Sequence, residues 1–241
     1  MGVRAFFGKI AAIGADLLFP DTKCICCGRE LKEGRLCPEC VSELVMNDKR
    51  RCVVCSRPID GEGDLCYMCE NRKYSFDSMT AVTEYKGTIR KMLLRYKEYN
   101  KAFLCDYFAD FIAPEAAKID FDVIVEVPSS PSQVRLRGYS QTKLIADRLA
   151  ERMNKPSVRA LSRSGRGKQS ERSARERTKA IRKEYSILNA DTVRGKKVLL
   201  LDDIYTTGST MDVCSKLLKK AGADKVHGLT VAIARFDIRW E

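Results

Sequence analysis

The spacing of hydrophobic positions changes along the chain. From residue 78 onward, short apolar runs alternate with longer segments in which apolar residues recur at helical spacing. The short runs predict buried strands, and the longer segments predict helices that pack one face on a sheet. The predicted strands are 78–85, 122–127, 197–202 and 226–234, and the predicted helices are 87–97, 101–117, 139–153 and 210–221. Strands that alternate with helices indicate an α/β fold with a mostly parallel sheet covered on both sides.

The segment before residue 73 follows a different pattern, which is set by cysteine. It contains four Cys-x-x-Cys pairs: Cys24/Cys27, Cys37/Cys40, Cys52/Cys55 and Cys66/Cys69. Both thiolates of such a pair can converge on one ion, and four thiolates make a closed tetrahedral zinc site. The segment is too small to be stabilised by burial alone, so metal supplies much of its folding energy. We therefore predict a small domain at 1–72 with two structural Zn²⁺ sites and a second domain at 73–241.

Three other uses of cysteine compete with zinc. Disulfides need an oxidising compartment, and the N-terminal apolar positions fit a short amphipathic helix better than a secretory signal. A thioredoxin-type redox pair normally occurs once, and ferredoxin clusters use other spacings. Zinc is therefore favoured, and the sequence leaves open whether consecutive pairs share an ion or interleave. We predict that Cys26 is not a ligand and that Cys105 and Cys214 are core thiols.

Composition limits the class of protein and draws attention to one segment. The 241 residues include 44 Lys and Arg against 32 Asp and Glu, a net charge of +12, and a single histidine, which excludes a His-rich metal centre. No apolar run approaches the roughly 18–20 residues of a membrane span, so we predict no integral membrane segment and a cytoplasmic location. Residues 159–183 hold ten basic and two acidic residues and so carry +8 of the net charge. We read this segment as a loop followed by a basic helix.

The most informative motif covers residues 198–210. A predicted buried strand ends in two adjacent acids, Asp202 and Asp203, at the edge of the sheet where open α/β folds bind ligands. The next helix opens with a cluster of hydroxyl residues and glycine: Thr206, Thr207, Gly208, Ser209 and Thr210. Backbone N–H groups and hydroxyls at a helix N-terminus can cradle a phosphate. Acids beside such a cradle indicate a ligand that carries hydroxyls, Mg²⁺ and phosphate together. An ordinary capped strand–helix turn explains the hydroxyl residues but not the acids.

This stretch resembles the phosphoribosyl-pyrophosphate signature of type I phosphoribosyltransferases, and together with the cysteine pairs the chain resembles the ComF family. That resemblance implies a double zinc ribbon before a type I phosphoribosyltransferase-like domain and a role in DNA uptake and natural transformation. It implies that Asp202 and Asp203 hold the ribose hydroxyls, directly or through Mg²⁺, and that residues 206–210 bind the 5-phosphate. The other positions that match the family's motifs are Lys97, Ser129, Ser130, Arg137, Gln169 and Arg172.

Two functions of different classes follow. In the first, phosphoribosyl pyrophosphate binds with Mg²⁺, and displacement at the anomeric carbon releases pyrophosphate, whose charge Lys97 and loop arginines neutralise. No element of the sequence identifies the acceptor. In the second, the zinc ribbons and the basic segment form a non-catalytic module that binds single-stranded DNA or regulates the uptake machinery. The basic segment lacks aromatic residues for base stacking, which favours the small ligand.

Overall fold

The computed structural model describes residues 23–59, 62–98, 101–165 and 184–234. The chain divides into two compact units, one ending at Leu44 and the other beginning at Val45. The first unit holds the first two cysteine pairs, and the second unit holds the other two pairs together with the sheet. The domain boundary predicted at 72/73 stays a prediction. The predicted N-terminal helix and the basic helix within 166–183 lie outside the described residues.

Each cysteine tetrad is built from a tight turn and a short helix. In the first unit the turn closes with the N–H of Gly28 donating to the carbonyl of Cys24 at 2.8 Å, and helix α1 spans Pro38–Ser42. In the second unit the N–H of Ser56 donates to the carbonyl of Cys52 at 2.9 Å, and helix α2 spans Tyr67–Asn71. Gly28 and Ser56 both have positive φ, which glycine adopts freely and serine rarely does.

The large unit contains a five-stranded parallel sheet among its described residues. Its strands are β1 (Ser78–Glu84), β2 (Val123–Glu126), β3 (Ser157–Val158), β6 (Lys197–Tyr205) and β7 (Lys225–Ile233), and their order is β1-β7-β6-β2-β3. A separate antiparallel pair joins β4 (Leu161–Arg163) to β5 (Tyr185–Ile187). The predicted α/β class and parallel sheet are confirmed, whereas the antiparallel pair was not predicted.

In the described part of this unit, five further helices follow α2: α3 (Gly87–Glu98), α4 (Leu104–Ala116), α5 (Pro131–Arg137), α6 (Gln141–Met153) and α7 (Ser209–Lys220). The sequence pattern did not predict α5, because this helix buries no residue and so has no apolar stripe. Local chemistry forms it instead: Ser130 and Gln133 make a capping box, and Pro131 stands in the first turn. Gly138 ends α5 in the left-handed region, which delays the start of α6 from the predicted 139 to 141.

The order of the strands determines where a ligand can bind. From β2 the chain moves outward to β3, and from β6 it moves the other way to β7, so the direction reverses between β2 and β6. These two strands pair in parallel, with Glu126 opposite Leu201. The loops that follow them therefore leave the same edge of the sheet side by side. Open α/β sheets bind their ligands at such a switch point, beyond the carboxyl ends of the strands.

Candidate functional site

A cleft of about 200 Å³ lies at this switch point. Six of the residues singled out from the sequence line it together: Lys97, Ser129, Arg137, Asp202, Asp203 and Thr210. They come from α3, the loop after β2, the end of α5, strand β6 and the first turn of α7. The sheet thus brings into one cleft side chains that are more than one hundred positions apart in the sequence.

The two acids lie inside β6 and not at its end as the sequence pattern predicted. The strand continues to Tyr205, because Ile204 and Tyr205 keep pairing with β7. Successive strand residues point to opposite faces, so Asp202 and Asp203 approach the cleft from the two sides of the sheet. The Nζ of Lys97 lies 2.5 Å from a carboxylate oxygen of Asp203. Burial, and next the charge of Asp203, raise the pKa of Asp202.

Lys97 is positioned by a network at the end of α3. The carbonyl of Tyr96 accepts hydrogen bonds from the side-chain amide of Gln141 at 2.7 Å and from the hydroxyl of Tyr139 at 3.1 Å. In return the Tyr96 hydroxyl donates to the carbonyl of Gln141 at 3.0 Å, and the Arg137 guanidinium donates to the Gln141 side-chain oxygen. The segment 137–141 therefore holds the last turn of α3 against α6, with Lys97 facing Asp203.

The loop after β2 is held by its neighbours on both sides. The N–H of Val127 donates to the carbonyl of Leu201 at 2.8 Å, and its carbonyl accepts from the Thr142 hydroxyl at 2.7 Å. The Ser129 hydroxyl accepts from the hydroxyl of Ser140 at 3.3 Å and lines the cleft. Ser130 does not line the cleft, because its hydroxyl caps α5.

Residues 206–210, here called the threonine loop, connect β6 to α7. Gly208 adopts a φ of +77°, and a Cβ placed on it would collide with the hydroxyl and ring of Tyr205. Both the backbone conformation and the close approach of this ring therefore require glycine. The Thr207 hydroxyl accepts from the N–H of Ser209 at 3.4 Å and donates to its hydroxyl at 3.1 Å. The hydroxyls and backbone amides of the loop therefore lie at the N-terminus of a twelve-residue helix, where a phosphoryl group can bind.

The cleft also contains side chains that the sequence analysis missed. Arg163 and Tyr185 come from the β4–β5 pair and line the cleft. The Arg163 guanidinium donates twice to one carboxylate oxygen of Glu184, at 3.1 and 2.9 Å, and lies 5.2 Å from the centre of the Tyr185 ring. Each strand has three residues, too few for a periodic signal. Val127, Pro128, Gln133, Gln141 and Thr142 complete the lining, whereas the predicted Gln169 and Arg172 lie outside the described residues.

The cysteines form two tetrads from consecutive pairs. Within each tetrad the four sulfur atoms lie within 4.8 Å of one another: Cys24, Cys27, Cys37 and Cys40 in the first, and Cys52, Cys55, Cys66 and Cys69 in the second. The question that the sequence left open is therefore answered in favour of sequential pairing. Cys26, Cys105 and Cys214 are buried and belong to neither tetrad.

The protonation of these thiols fits a divalent cation. Burial opposes ionisation of Cys24, but the backbone N–H groups of Cys27, Cys37 and Cys26 outweigh it and lower its pKa to about 6. Burial raises the pKa of Cys55 to about 12, with the charges of Cys52 and Cys66 as further causes. Four clustered thiols cannot all ionise by themselves, whereas a bound cation stabilises all four thiolates. Four sulfur donors in a closed cluster are the ligand set of structural zinc.

None of the helices in the described part of the chain is both long and apolar enough to cross a membrane.

Two family models match the chain. One, described as a double zinc ribbon domain, matches residues 14–72, and the other, described as a phosphoribosyl transferase domain, matches residues 143–235. The fold is therefore a double zinc ribbon followed by a phosphoribosyltransferase domain, as the sequence predicted.

Three curated competence proteins are similar to the chain over most of its length. Competence protein ComFC of Streptococcus pneumoniae is 27% identical over 227 residues, which cover 85% of this chain and 96% of that protein. Competence protein ComFC of Bacillus subtilis is 29% identical over 207 residues, covering 82% and 83%. Competence protein F of Haemophilus influenzae is 25% identical over 214 residues, covering 85% and 87%. These relatives and the two domain matches confirm the predicted resemblance to the ComF family.

The chain is also similar in part to solved structures. An adenine phosphoribosyltransferase from Thermoanaerobacter pseudethanolicus is 16% identical with a TM-score of 0.37, and the match covers 57% of this chain and 84% of that one. The glutamine phosphoribosylpyrophosphate amidotransferase of B. subtilis is 23% identical with a TM-score of 0.39, and the match covers 54% and 26%. The chain therefore spans about a quarter of the length of that amidotransferase.

Proposed function

We propose that this chain, which resembles the ComF family along most of its length, binds phosphoribosyl pyrophosphate with Mg²⁺ and transfers its phosphoribosyl group with release of pyrophosphate. The observation that carries the proposal is the convergence of three features on one cleft. These are the carboxylates of Asp202 and Asp203, Thr210 of the threonine loop at the start of α7, and Ser129 of the loop after β2. A sugar that bears hydroxyls between two phosphorylated ends requires these three kinds of partner.

Each feature has a role in the proposal. The threonine loop binds the 5-phosphate through backbone N–H groups and hydroxyls. Asp202 and Asp203 bind the ribose hydroxyls, directly or through Mg²⁺, which prefers carboxylate and phosphate oxygens. Burial and the charge of Asp203 raise the pKa of Asp202, and a bound cation would favour the ionised form of both carboxyl groups. The loop at 127–129 and Arg137 bind the pyrophosphate.

Lys97 is the residue that we propose for leaving-group stabilisation. Its ammonium group lies 2.5 Å from Asp203 and lines the cleft, where a bound pyrophosphate would meet a positive charge. Negative charge grows on the pyrophosphate as its bond to the anomeric carbon breaks, and a fixed cation lowers that barrier. The Mg²⁺ ion supplies further charge neutralisation when it is bound.

The zinc ribbons and the names of the relatives extend the proposal. We propose that Zn²⁺ fills both tetrads, and that the chain serves competence, the role printed in the names of all three curated relatives. Reduced, metal-binding thiols agree with the predicted cytoplasmic location.

The proposal is tested by thermal melting in the presence of the ligand. A ligand at one hundred times its Kd stabilises the folded state by about 2.7 kcal/mol, which raises Tm by roughly 5–10 °C in a protein of this size. Phosphoribosyl pyrophosphate with Mg²⁺ should produce this rise, and ribose 5-phosphate should produce a smaller one. An unchanged Tm at millimolar ligand contradicts the proposal. If the protein binds a single-stranded oligonucleotide but not phosphoribosyl pyrophosphate, and if salt weakens that binding, the result favours the non-catalytic module.

A further inference from the structure

Arg57 connects the second tetrad to the threonine loop. Arg57 follows the tetrad residue Cys55 by two positions. Its Nη2 donates to the carbonyl of Thr206 at 2.9 Å, and its Nη1 donates to the carbonyl of Ala234 at 3.4 Å. These carbonyls come directly after the ends of β6 and β7. One guanidinium therefore joins the cysteine turn to the point at which the threonine loop leaves the sheet.

Neighbouring residues make further contacts of the same kind. The Tyr74 hydroxyl donates to the carbonyl of Thr207 at 3.3 Å. The carboxylate of Asp212, in the first turn of α7, accepts from the Arg72 guanidinium at 3.1 Å and from the N–H of Ser75 at 2.7 Å. Donors from 57–75 thus hold both the loop and the start of the helix that follows it.

These contacts fix the direction of the loop's amide groups. In a planar trans peptide the C=O and the next N–H point in opposite directions. Because the carbonyl of Thr206 faces Arg57, the N–H of Thr207 points away from Arg57. The carbonyl of Thr207 faces the Tyr74 hydroxyl, so the N–H of Gly208 points away from Tyr74. The N–H groups that a phosphoryl ligand would use are therefore aimed by hydrogen bonds on the opposite side of the backbone.

The position of Arg57 depends in turn on the cysteine turn that carries it. Its carbonyl accepts from the N–H of Cys52 at 2.8 Å, so the turn closes on Arg57 itself. The side chain of Asn47 donates to the carbonyl of Ser56 at 2.8 Å and to the carbonyl of Ala81 in β1 at 3.0 Å. Asn47 therefore joins the turn at Ser56 to β1. The same turn carries Cys52 and Cys55, two of the four sulfur ligands of the tetrad.

We propose that Arg57 and Tyr74 are positioning residues for the threonine loop, and that the metal in the second tetrad thereby sets the affinity of the loop for a phosphoryl group. The tetrad would then act on ligand binding from outside the cleft, since the described cleft lining contains no residue of the cysteine turn. The effect on affinity rests on the proposed function, but the effect on the order of the loop does not.

The first test measures the loop directly by hydrogen exchange of peptides that cover residues 205–212. Arg57→Ala should raise exchange of these amides about tenfold, the effect of losing one charge-assisted hydrogen bond. Arg57→Lys should restore part of the protection, because lysine can reach one carbonyl but not both. Arg51→Ala, which removes an exposed arginine from the same turn, is the matched control and should leave exchange unchanged. Equal exchange in wild type and Arg57→Ala, at equal zinc content, would overturn the proposal.

Tyr74→Phe provides a second variant that removes only a hydroxyl. It should raise exchange at the loop less than Arg57→Ala, because it removes a neutral hydrogen bond, and it should leave the zinc content unchanged. Protection that is unaffected in Tyr74→Phe and in Arg57→Ala alike would exclude both residues from positioning the loop.

The metal is tested in wild type and Arg57→Ala side by side. Release of zinc from the tetrads by a thiol reagent and chelator should raise loop exchange in wild type, but much less in Arg57→Ala, in which the connection to the second tetrad is already broken. Affinity for phosphoribosyl pyrophosphate with Mg²⁺ should fall about tenfold in Arg57→Ala and in zinc-released wild type. Wild-type protein that fails to bind this ligand contradicts the proposed function alone, since the exchange results stand by themselves. Equal responses of the two proteins to zinc release would contradict the coupling.

Discussion

Gly208→Ala is expected to be among the most damaging single-methyl additions at the cleft. Two separate costs arise at this position. A non-glycine residue at φ +77° costs roughly 1–2 kcal/mol because its Cβ crowds the backbone. The new methyl group also meets the hydroxyl and ring of Tyr205, which is buried, and such overpacking costs roughly 1–3 kcal/mol. The sum is a loss of about 2–5 kcal/mol of folding free energy.

The two costs can be separated with a double-mutant cycle. Urea unfolding of wild type, Gly208→Ala, Tyr205→Phe and the double variant gives the coupling free energy between the two positions. Removing the Tyr205 hydroxyl should relieve part of the collision, so that the double variant is more stable than Gly208→Ala by roughly 1 kcal/mol. The backbone cost should remain. A loss below 1 kcal/mol in Gly208→Ala, or no coupling to Tyr205→Phe, would refute this account of the loop.

Two further predictions concern the metal sites and pH. Cys40→Ser should lower the zinc content from two ions to about one per chain. The control Cys26→Ser changes an equally buried thiol outside the tetrads and should retain both ions. Equal zinc content in the two variants argues against the tetrads as ligand sets. Burial and the charge of Asp203 raise the pKa of Asp202 in the folded state, so the folded protein retains a proton that the unfolded chain loses near pH 4. The tighter binding of this proton stabilises the folded state at acidic pH, and that contribution is lost as pH rises through the raised pKa. Asp202→Asn should therefore match wild type in Tm at acidic pH and exceed it increasingly as pH rises, and a pH-independent difference speaks against a raised pKa.

Local chemistry made part of this molecule predictable. The four cysteine pairs are close in sequence, and their spacing alone indicated tight turns that hold thiolates together. The stretch around Asp202 and Gly208 was also readable, because a continuous apolar run followed by hydroxyl residues and glycine marks a buried strand that enters a helix. Its end was wrong by three residues, since pairing with β7 extends the strand past the acids.

Contacts between distant segments were not predictable. Gln141 fell within the predicted helix 139–153, and nothing in the pattern indicated that its side-chain amide donates to the carbonyl of Tyr96 at the end of another helix. Arg57 carried no signal at all, because its partner Thr206 lies 149 positions away. Helix α5 escaped detection because a capping box forms it in place of an apolar stripe. Such features depend on which segments the fold places side by side.

Calorimetric titration of phosphoribosyl pyrophosphate with Mg²⁺ tests the central claim most directly. Wild type should bind the ligand, and Asp202→Asn with Asp203→Asn should abolish the binding heat. A matched variant that replaces two exposed aspartates, Asp191→Asn with Asp224→Asn, changes the net charge equally and should bind like wild type. Retention of full affinity in the Asp202 and Asp203 variant, or absence of binding in wild type, would contradict a phosphoribosyl pyrophosphate site in this cleft.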